Sequence, residues 1–266
     1  MFGWLKGRRR AALRRAAFPA AWRAIVERNV PYAAVLSVED RQELLGHAQV
    51  FLAEKHFEGC GGLSITDEVR ITIAAQACVL LLHRPTDYYP RLVSILVYPS
   101  TYLVPGGRPA ANGLSDEEPQ ARLGESWARD VVVLAWDSVV SGASDIHDGH
   151  NVVLHEFAHQ LDQEDGVGDG APILPQRSMY LAWTRVLGHD FDQLVRDTER
   201  HHRTVIDRYG ATSPAEFFAV VTETFFEKPR QLRAKYPELY LQLQQFYRQD
   251  PAARYSGDPA HDEGGG

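Results

Sequence analysis

A histidine is a costly core residue unless its ring nitrogens are satisfied, and this chain sets two of them four positions apart in an apolar run. Residues 151–162 read NVVLHEFAHQLD, with His155, Glu156 and His159 in the spacing H-E-x-x-H among Val152, Val153, Leu154, Phe157, Ala158 and Leu161. On a helix, positions i and i+4 lie one above the other, so both imidazoles share a face. Two such nitrogens can bind one Zn2+ at about 2.0–2.1 Å each. Glu156, one step round, then reaches a water in the open coordination position and serves as general base. The competing reading is two satisfied core histidines. The apolar surroundings and the polar stop at Gln163, Glu164, Asp165 and Gly166 favour a metal helix.

A chain of 266 residues can bury a core of ordinary size, and a formal net charge of -7 argues against a nucleic-acid-binding surface. Two cysteines, Cys60 and Cys78, make no disulfide framework, so a reducing cytoplasm is the expected compartment. The first residues carry Lys6, Arg8, Arg9, Arg10, Arg14 and Arg15, but the apolar stretch after them is broken by Pro19 and Arg23. Neither a secretory signal nor a membrane span fits, and no stable membrane insertion is expected. The expected organisation is a flexible basic leader over 1–19, one domain carrying the metal helix over 20–252 and a disordered tail over 253–266.

Helical spacing of apolar residues predicts helices over 20–30, 37–56, 66–82, 177–200, 213–226 and 229–248. Residues 92–104 and 131–136 are rich in β-branched and aromatic residues and predict strands, the first interrupted at Pro99. Between them, 105–124 is a Gly- and Pro-rich loop of the length often given to function. A polar loop holding Gly142, Asp145, His147, Asp148, Gly149 and His150 is expected to lead into the metal helix. The strand before that helix is a candidate edge for an extended peptide, and an ordinary core strand is the alternative. His147 and His150 are weaker candidates for further ligands.

Zinc hydrolases commonly use three protein ligands and leave a fourth position for water. Asp165 lies ten residues after His155, where a metzincin-like pattern puts its ligand, but Asp162 stands where that pattern needs glycine for the turn. Glu216 and Glu223 fall on one face of the apolar helix PAEFFAVVTETFF, where a carboxylate is costly unless paired or bound to metal. Ser213-Pro214-Ala215-Glu216 is also a capping box, which gives Glu216 a structural alternative, and Glu223 could orient a ligating histidine. Residue chemistry alone leaves the two glutamates close.

The segments HEFAHQLD, DRYGATSPAEFFAVVTETFF and YPELYLQLQQFYRQDP, with the opening MFGWLK and the strand VVVLAW, resemble the Mlc titration factor A family of bacterial zinc peptidases over residues 31–251. The resemblance implies one Zn2+ per chain held by His155, His159 and Glu216, with Tyr209 beside the metal. Ser213 stands where the family pattern has aspartate, which alters the helix cap and not the ligand. The resemblance further implies an α+β, mostly helical zincin-type domain with a small β-sheet beside the H-E-x-x-H helix, similar to the gluzincin core of anthrax lethal factor. It implies aminopeptidase-like cleavage of a peptide substrate and a transcriptional repressor of the Mlc type as partner. The Gly-x-Met-Glu-Asn motif of larger aminopeptidases is absent, so exo- and endopeptidase specificity both stay open.

Overall fold

The computed structural model describes residues 2–101 and 130–254. The chain opens with helices α1 (Phe2–Arg15), α2 (Ala20–Asn29) and α3 (Val38–Glu54), then strand β1 (His56–Gly59), α4 (Asp67–Val79), β2 (Ser94–Tyr98) and β3 (Val131–Ala135). Helices α5 (Trp136–Ser144), α6 (Val152–Asp162), α7 (Met179–Glu199), α8 (Pro214–Glu227), α9 (Pro229–Lys235), α10 (Pro237–Tyr247) and α11 (Pro251–Arg254) complete it. The architecture is α+β, with helices predominating and one three-stranded parallel sheet in the order β1-β2-β3. Ser94 pairs with His56 on one side and Val131 on the other, so β3 is an edge strand among the described residues. It also touches α6, so the sheet lies beside the metal helix as expected.

Local chemistry starts the central helices where the sequence reading put them. Ser37 and Thr66 accept the backbone N–H groups of Asp40 and Val69 at 3.0 and 3.3 Å, capping α3 and α4. Helix α6 is capped by Asn151, whose Oδ1 accepts from Val153 and Leu154 at 3.1 and 3.0 Å. Eight of its residues are buried, so it runs through the core and not along its edge. Phe157 meets Phe51 and Tyr89 with ring centroids 5.6 and 4.9 Å apart, joining α6 to α3. Helix α8 is buried without a break from Phe217 to Glu227 and packs on α6.

Several expectations are corrected. The basic leader is helix α1, docked on α3 by Arg10, which bonds Glu54 through two nitrogens at 2.7 and 2.8 Å and also bonds Asp87. Ala253 and Arg254, placed in the tail, complete α11, and Arg254 donates to Tyr32 and Gln249 at 2.9 Å. The loop before the metal helix contains α5, whose apolar Trp136, Val139, Val140 and Ala143 recur at helical spacing. Residues 229–248 form two helices because Pro237 lacks the N–H that would continue the first and clashes with it. Strand β1 went unrecognised because its four residues lie mostly exposed and carry no apolar alternation. Strand β2 ends at Tyr98, before Pro99. The 105–124 loop and residues 255–266 lie outside the described residues.

Candidate metal centre

Four side chains meet where α6 crosses α8. His155 and His159 point the same way from successive turns of α6, with ring centroids 4.9 Å apart. Their Nε2 atoms are 3.2 Å apart, and Glu216 Oε2 lies 3.0 Å from the first and 3.4 Å from the second. In a tetrahedral centre with bonds near 2.0–2.1 Å, neighbouring ligand atoms stand about 3.3–3.4 Å apart. The three donor atoms therefore lie at nearly the edge lengths of such a centre.

The carboxylate of Glu223 sits on the other side of His155. Its Oε1 is 2.7 Å from His155 Nδ1, and its Oε2 accepts the backbone N–H of Asn151 at 2.6 Å. A carboxylate only accepts, so Nδ1 carries the hydrogen, and Nε2 faces Glu216 and His159 with a second hydrogen in the metal-free imidazolium or with a lone pair that a metal ion would take. Two lone pairs and a carboxylate oxygen cannot converge at about 3 Å in a buried site unless a proton or a metal ion lies among them. The charge balance agrees. Burial opposes a charged His155, but Glu223 and Glu216 outweigh it and raise its pKa well above the ordinary histidine value. Burial acts against the Glu216 carboxylate too, and the two histidines overcome it, holding its pKa far below the usual range. The donor set suits a divalent metal with nitrogen and oxygen ligands.

The geometry thereby separates Glu216 from Glu223. Ser213 Oγ accepts the Glu216 N–H at 3.2 Å, which is half of the capping box, while the Glu216 carboxylate turns to the histidines. Glu223, two turns along the same helix, meets the outer ring nitrogen and fixes its tautomer.

Glu156 is half-buried on α6 beside the cluster, and its pKa is raised, chiefly by burial, with His155 and His159 pulling the other way. Tyr209 lies in the 3-10 turn Arg208–Ala211, where its N–H donates to Asp207 Oδ1 at 2.8 Å. Its ring centroid is 5.9 Å from that of His155. Asp165 stands apart from the cluster, exposed and accepting the N–H of Val167 at 2.9 Å. His147 and His150 also stand outside the group.

One layer of the site escaped the sequence reading. Asn151 Nδ2 approaches Gln76 Oε1 at 3.1 Å, Glu227 Oε1 at 3.2 Å and the Gly142 carbonyl at 3.3 Å, tying α4, α5 and α8 to the start of the metal helix. The available signals were single polar residues in apolar helices, Gln76 in α4 and Glu227 one turn after Glu223.

Comparison with known proteins converges on the same chemistry. The family model for glucose-regulated metallo-peptidase M90 matches residues 4–248. An uncharacterized protein of Synechocystis sp. is 43% identical over 249 residues, covering 93% of this chain and 90% of its own. Mlc titration factor A of Pectobacterium atrosepticum is 32% identical over 236 residues, covering 88% and 87% respectively. Mlc titration factor A of Yersinia pestis is 30% identical over 229 residues, covering 85% and 84%. With its paired histidines, its inward glutamate and a match along nearly its whole length, the chain belongs to the glucose-regulated metallo-peptidase M90 family.

Proposed function

We propose that the protein is a zinc-dependent peptidase of aminopeptidase-like specificity, with His155, His159 and Glu216 as ligands. The observation that carries this reading is the triangle of Glu216 Oε2 and the two histidine Nε2 atoms, with sides of 3.0, 3.2 and 3.4 Å. Zinc, when bound, lowers the pKa of a coordinated water towards neutrality and polarises a substrate carbonyl. Glu156 takes the water proton and returns it to the leaving amine, a role suited to a carboxylate whose pKa burial has raised. Tyr209 donates a hydrogen bond from its hydroxyl to the oxyanion as charge develops there. Glu223 holds the His155 ring in the tautomer that leaves Nε2 available. The outer edge of β3 suits an extended peptide, which would add main-chain hydrogen bonds next to α6.

Metal analysis and peptide hydrolysis on the same variants test this reading. Glu216→Ala is expected to lose zinc, and Glu223→Ala to retain it with affinity weakened about 10–100-fold. Glu156→Gln should keep zinc and lose turnover by roughly 10²–10⁴-fold on aminoacyl anilides and short peptides. Zinc retained in Glu216→Ala but lost in Glu223→Ala would reverse the two glutamates. Near-wild-type turnover in Glu156→Gln would remove it as the base.

A second reading comes from the name of the relatives, Mlc titration factor A. The chain would bind a transcriptional repressor and thereby regulate sugar uptake, with catalysis incidental. Capture of such a repressor by Glu156→Gln as efficiently as by wild type supports titration, whereas capture that disappears with the chemistry refutes it.

A further inference from the structure

Beside the start of the metal helix the surface opens into a cleft of about 590 Å3. Arg203, Arg208 and Lys228 supply its cations, and Asp207 is the one carboxylate among its described lining residues, in a chain whose net charge is -7. Asp207 is already engaged, accepting from the Tyr209 backbone through Oδ1 and facing His150 Nε2 at 3.9 Å through Oδ2. Arg208 spends one nitrogen on the His202 carbonyl at 3.1 Å. Arg203 and Lys228 have no ion-pair partner among the described residues.

The backbone is arranged around the lysine. A Cβ at Gly149 would lie 3.2–3.3 Å from Cδ, Cε and Nζ of Lys228, and Gly149 has φ +76°, a conformation that side chains disfavour. Glycine there lets the Lys228 chain lie along the loop with its ammonium at the cleft. A cation at the C-terminal end of α8 would suit the helix dipole alone, but Arg203 and Arg208 come from a different segment and converge on the same space. The cleft also adjoins the metal centre along the chain on two sides. His150 lines it and Asn151 caps α6; Asp207 lines it and the Tyr209 ring lies beside His155.

We propose that this cleft is a substrate subsite that binds a carboxylate group of the peptide, supplied by its C-terminus or by an acidic side chain. The proposal rests on the peptidase reading above and adds a substrate class to it. Guanidinium and ammonium groups give charge-assisted hydrogen bonds to a carboxylate, and a peptide held there would be positioned relative to the scissile bond.

Unlabelled octapeptides of alanine, leucine and glycine with free N-termini, titrated calorimetrically into the zinc-loaded, full-length Glu156→Gln protein, test this. One peptide has a free C-terminal carboxylate, one a C-terminal amide, and one an amide with a single internal glutamate. At least one carboxylate form should bind about tenfold more tightly than the amide that lacks a carboxylate, as expected for one added charge-assisted hydrogen bond, and that preference should shrink with salt. Preference for the free C-terminus alone identifies that source, and preference for the internal glutamate alone identifies an acidic side chain. Arg203→Gln and Lys228→Met should each bring the preference to within about twofold; Arg203 is exposed, so its variant keeps the test available if Lys228→Met fails to fold. Equal binding of all three peptides, or a preference unchanged in the folded variants, overturns the proposal. Failure of the peptidase reading has a different signature, no cleavage of any peptide by the zinc-loaded wild type, and leaves the binding comparison in the inactive variant intact.

Discussion

One turn beyond Glu223, helix α8 buries a further carboxyl, Glu227, which is 2% exposed. Burial pushes its pKa up to about 9, helped by the negative charge of Glu223, while the Asn151 amide pulls the other way. In the unfolded chain such a group ionises near its ordinary value of about 4.3. Between these values the folded state holds a proton that the unfolded state has released. The stability from the neutral carboxyl is therefore complete below the unfolded pKa and is lost as pH rises towards 9. Glu227→Gln keeps a carbonyl acceptor for Asn151 and removes the ionisation. Urea unfolding should find the variant close to wild type at pH 5 and more stable by roughly 4 kcal/mol at pH 8, three pH units at about 1.4 kcal/mol each. The same dependence on pH in both proteins would mean that Glu227 is ionised in the fold. At this scale the sequence was most legible where spacing encodes geometry. His155 and His159 needed only a helix to become neighbours, whereas Glu216 and Glu223 share one face, and sequence cannot say which ring nitrogen each meets.

Helix placement around the site depends on two glycines with tight neighbours. Gly142, inside α5, allows that helix to approach the start of α6, since a Cβ there would stand 3.0 Å from the His150 carbonyl oxygen and 3.1 Å from Asn151 Cα. The same glycine lies in the stretch after Trp136 that reads as polar loop, and Trp136, expected to end the strand, instead opens the helix, whose apolar residues have helical spacing. Gly170 works at the other end, where the chain leaving α6 crosses the first turn of α8. It has φ +81°, and a Cβ would fall 2.4 Å from the Pro214 carbonyl oxygen. Its N–H donates to Asp162 at 2.9 Å and its carbonyl accepts from Trp183 Nε1 at 3.0 Å, so the loop cannot simply retreat. Gly170→Ala should destabilise the fold by about 2–4 kcal/mol and, by displacing the turn that carries Glu216, weaken metal binding. Thermal melts with and without chelator read both effects, and unchanged melts would show that the loop gives way instead. Element type was legible where apolar periodicity ran long, as in α3, α4, α7 and α8. It failed for β1, which borrows its pairing from β2 and has no pattern of its own.

At the scale of the whole molecule, burial from Val26 to Ala252 forms one continuous core, and α1 is fastened to it by polar contacts as well as packing. Arg10 is the centre of that attachment. The residue is 8% exposed, and its guanidinium lies 4.7 Å from the centroid of the Tyr88 ring and bonds both Glu54 and Asp87, 44 and 77 residues away. The Arg10 hydrogen bonds hold the Glu54 carboxyl below its usual pKa range against the cost of burial. Taken alone, 1–19 sets five arginines and a lysine among apolar residues; its order comes from partners so distant in sequence that local pattern cannot reveal them. Removing the guanidinium leaves a largely buried Glu54 without its cation, a more expensive outcome than losing a surface pair. Arg10→Ala should lower Tm by roughly 5 °C and expose α1 to trypsin, with cleavage after Arg8, Arg9, Arg14 or Arg15 accelerated well ahead of global unfolding. A Glu54→Ala background separates the ion pair from general packing. There the Arg10 substitution should cost much less, because the partner carboxylate is already gone. Equal losses in both backgrounds would assign the docking of α1 to Tyr88 and the apolar contacts. Unaltered tryptic protection in Arg10→Ala would free Arg10 from that role altogether.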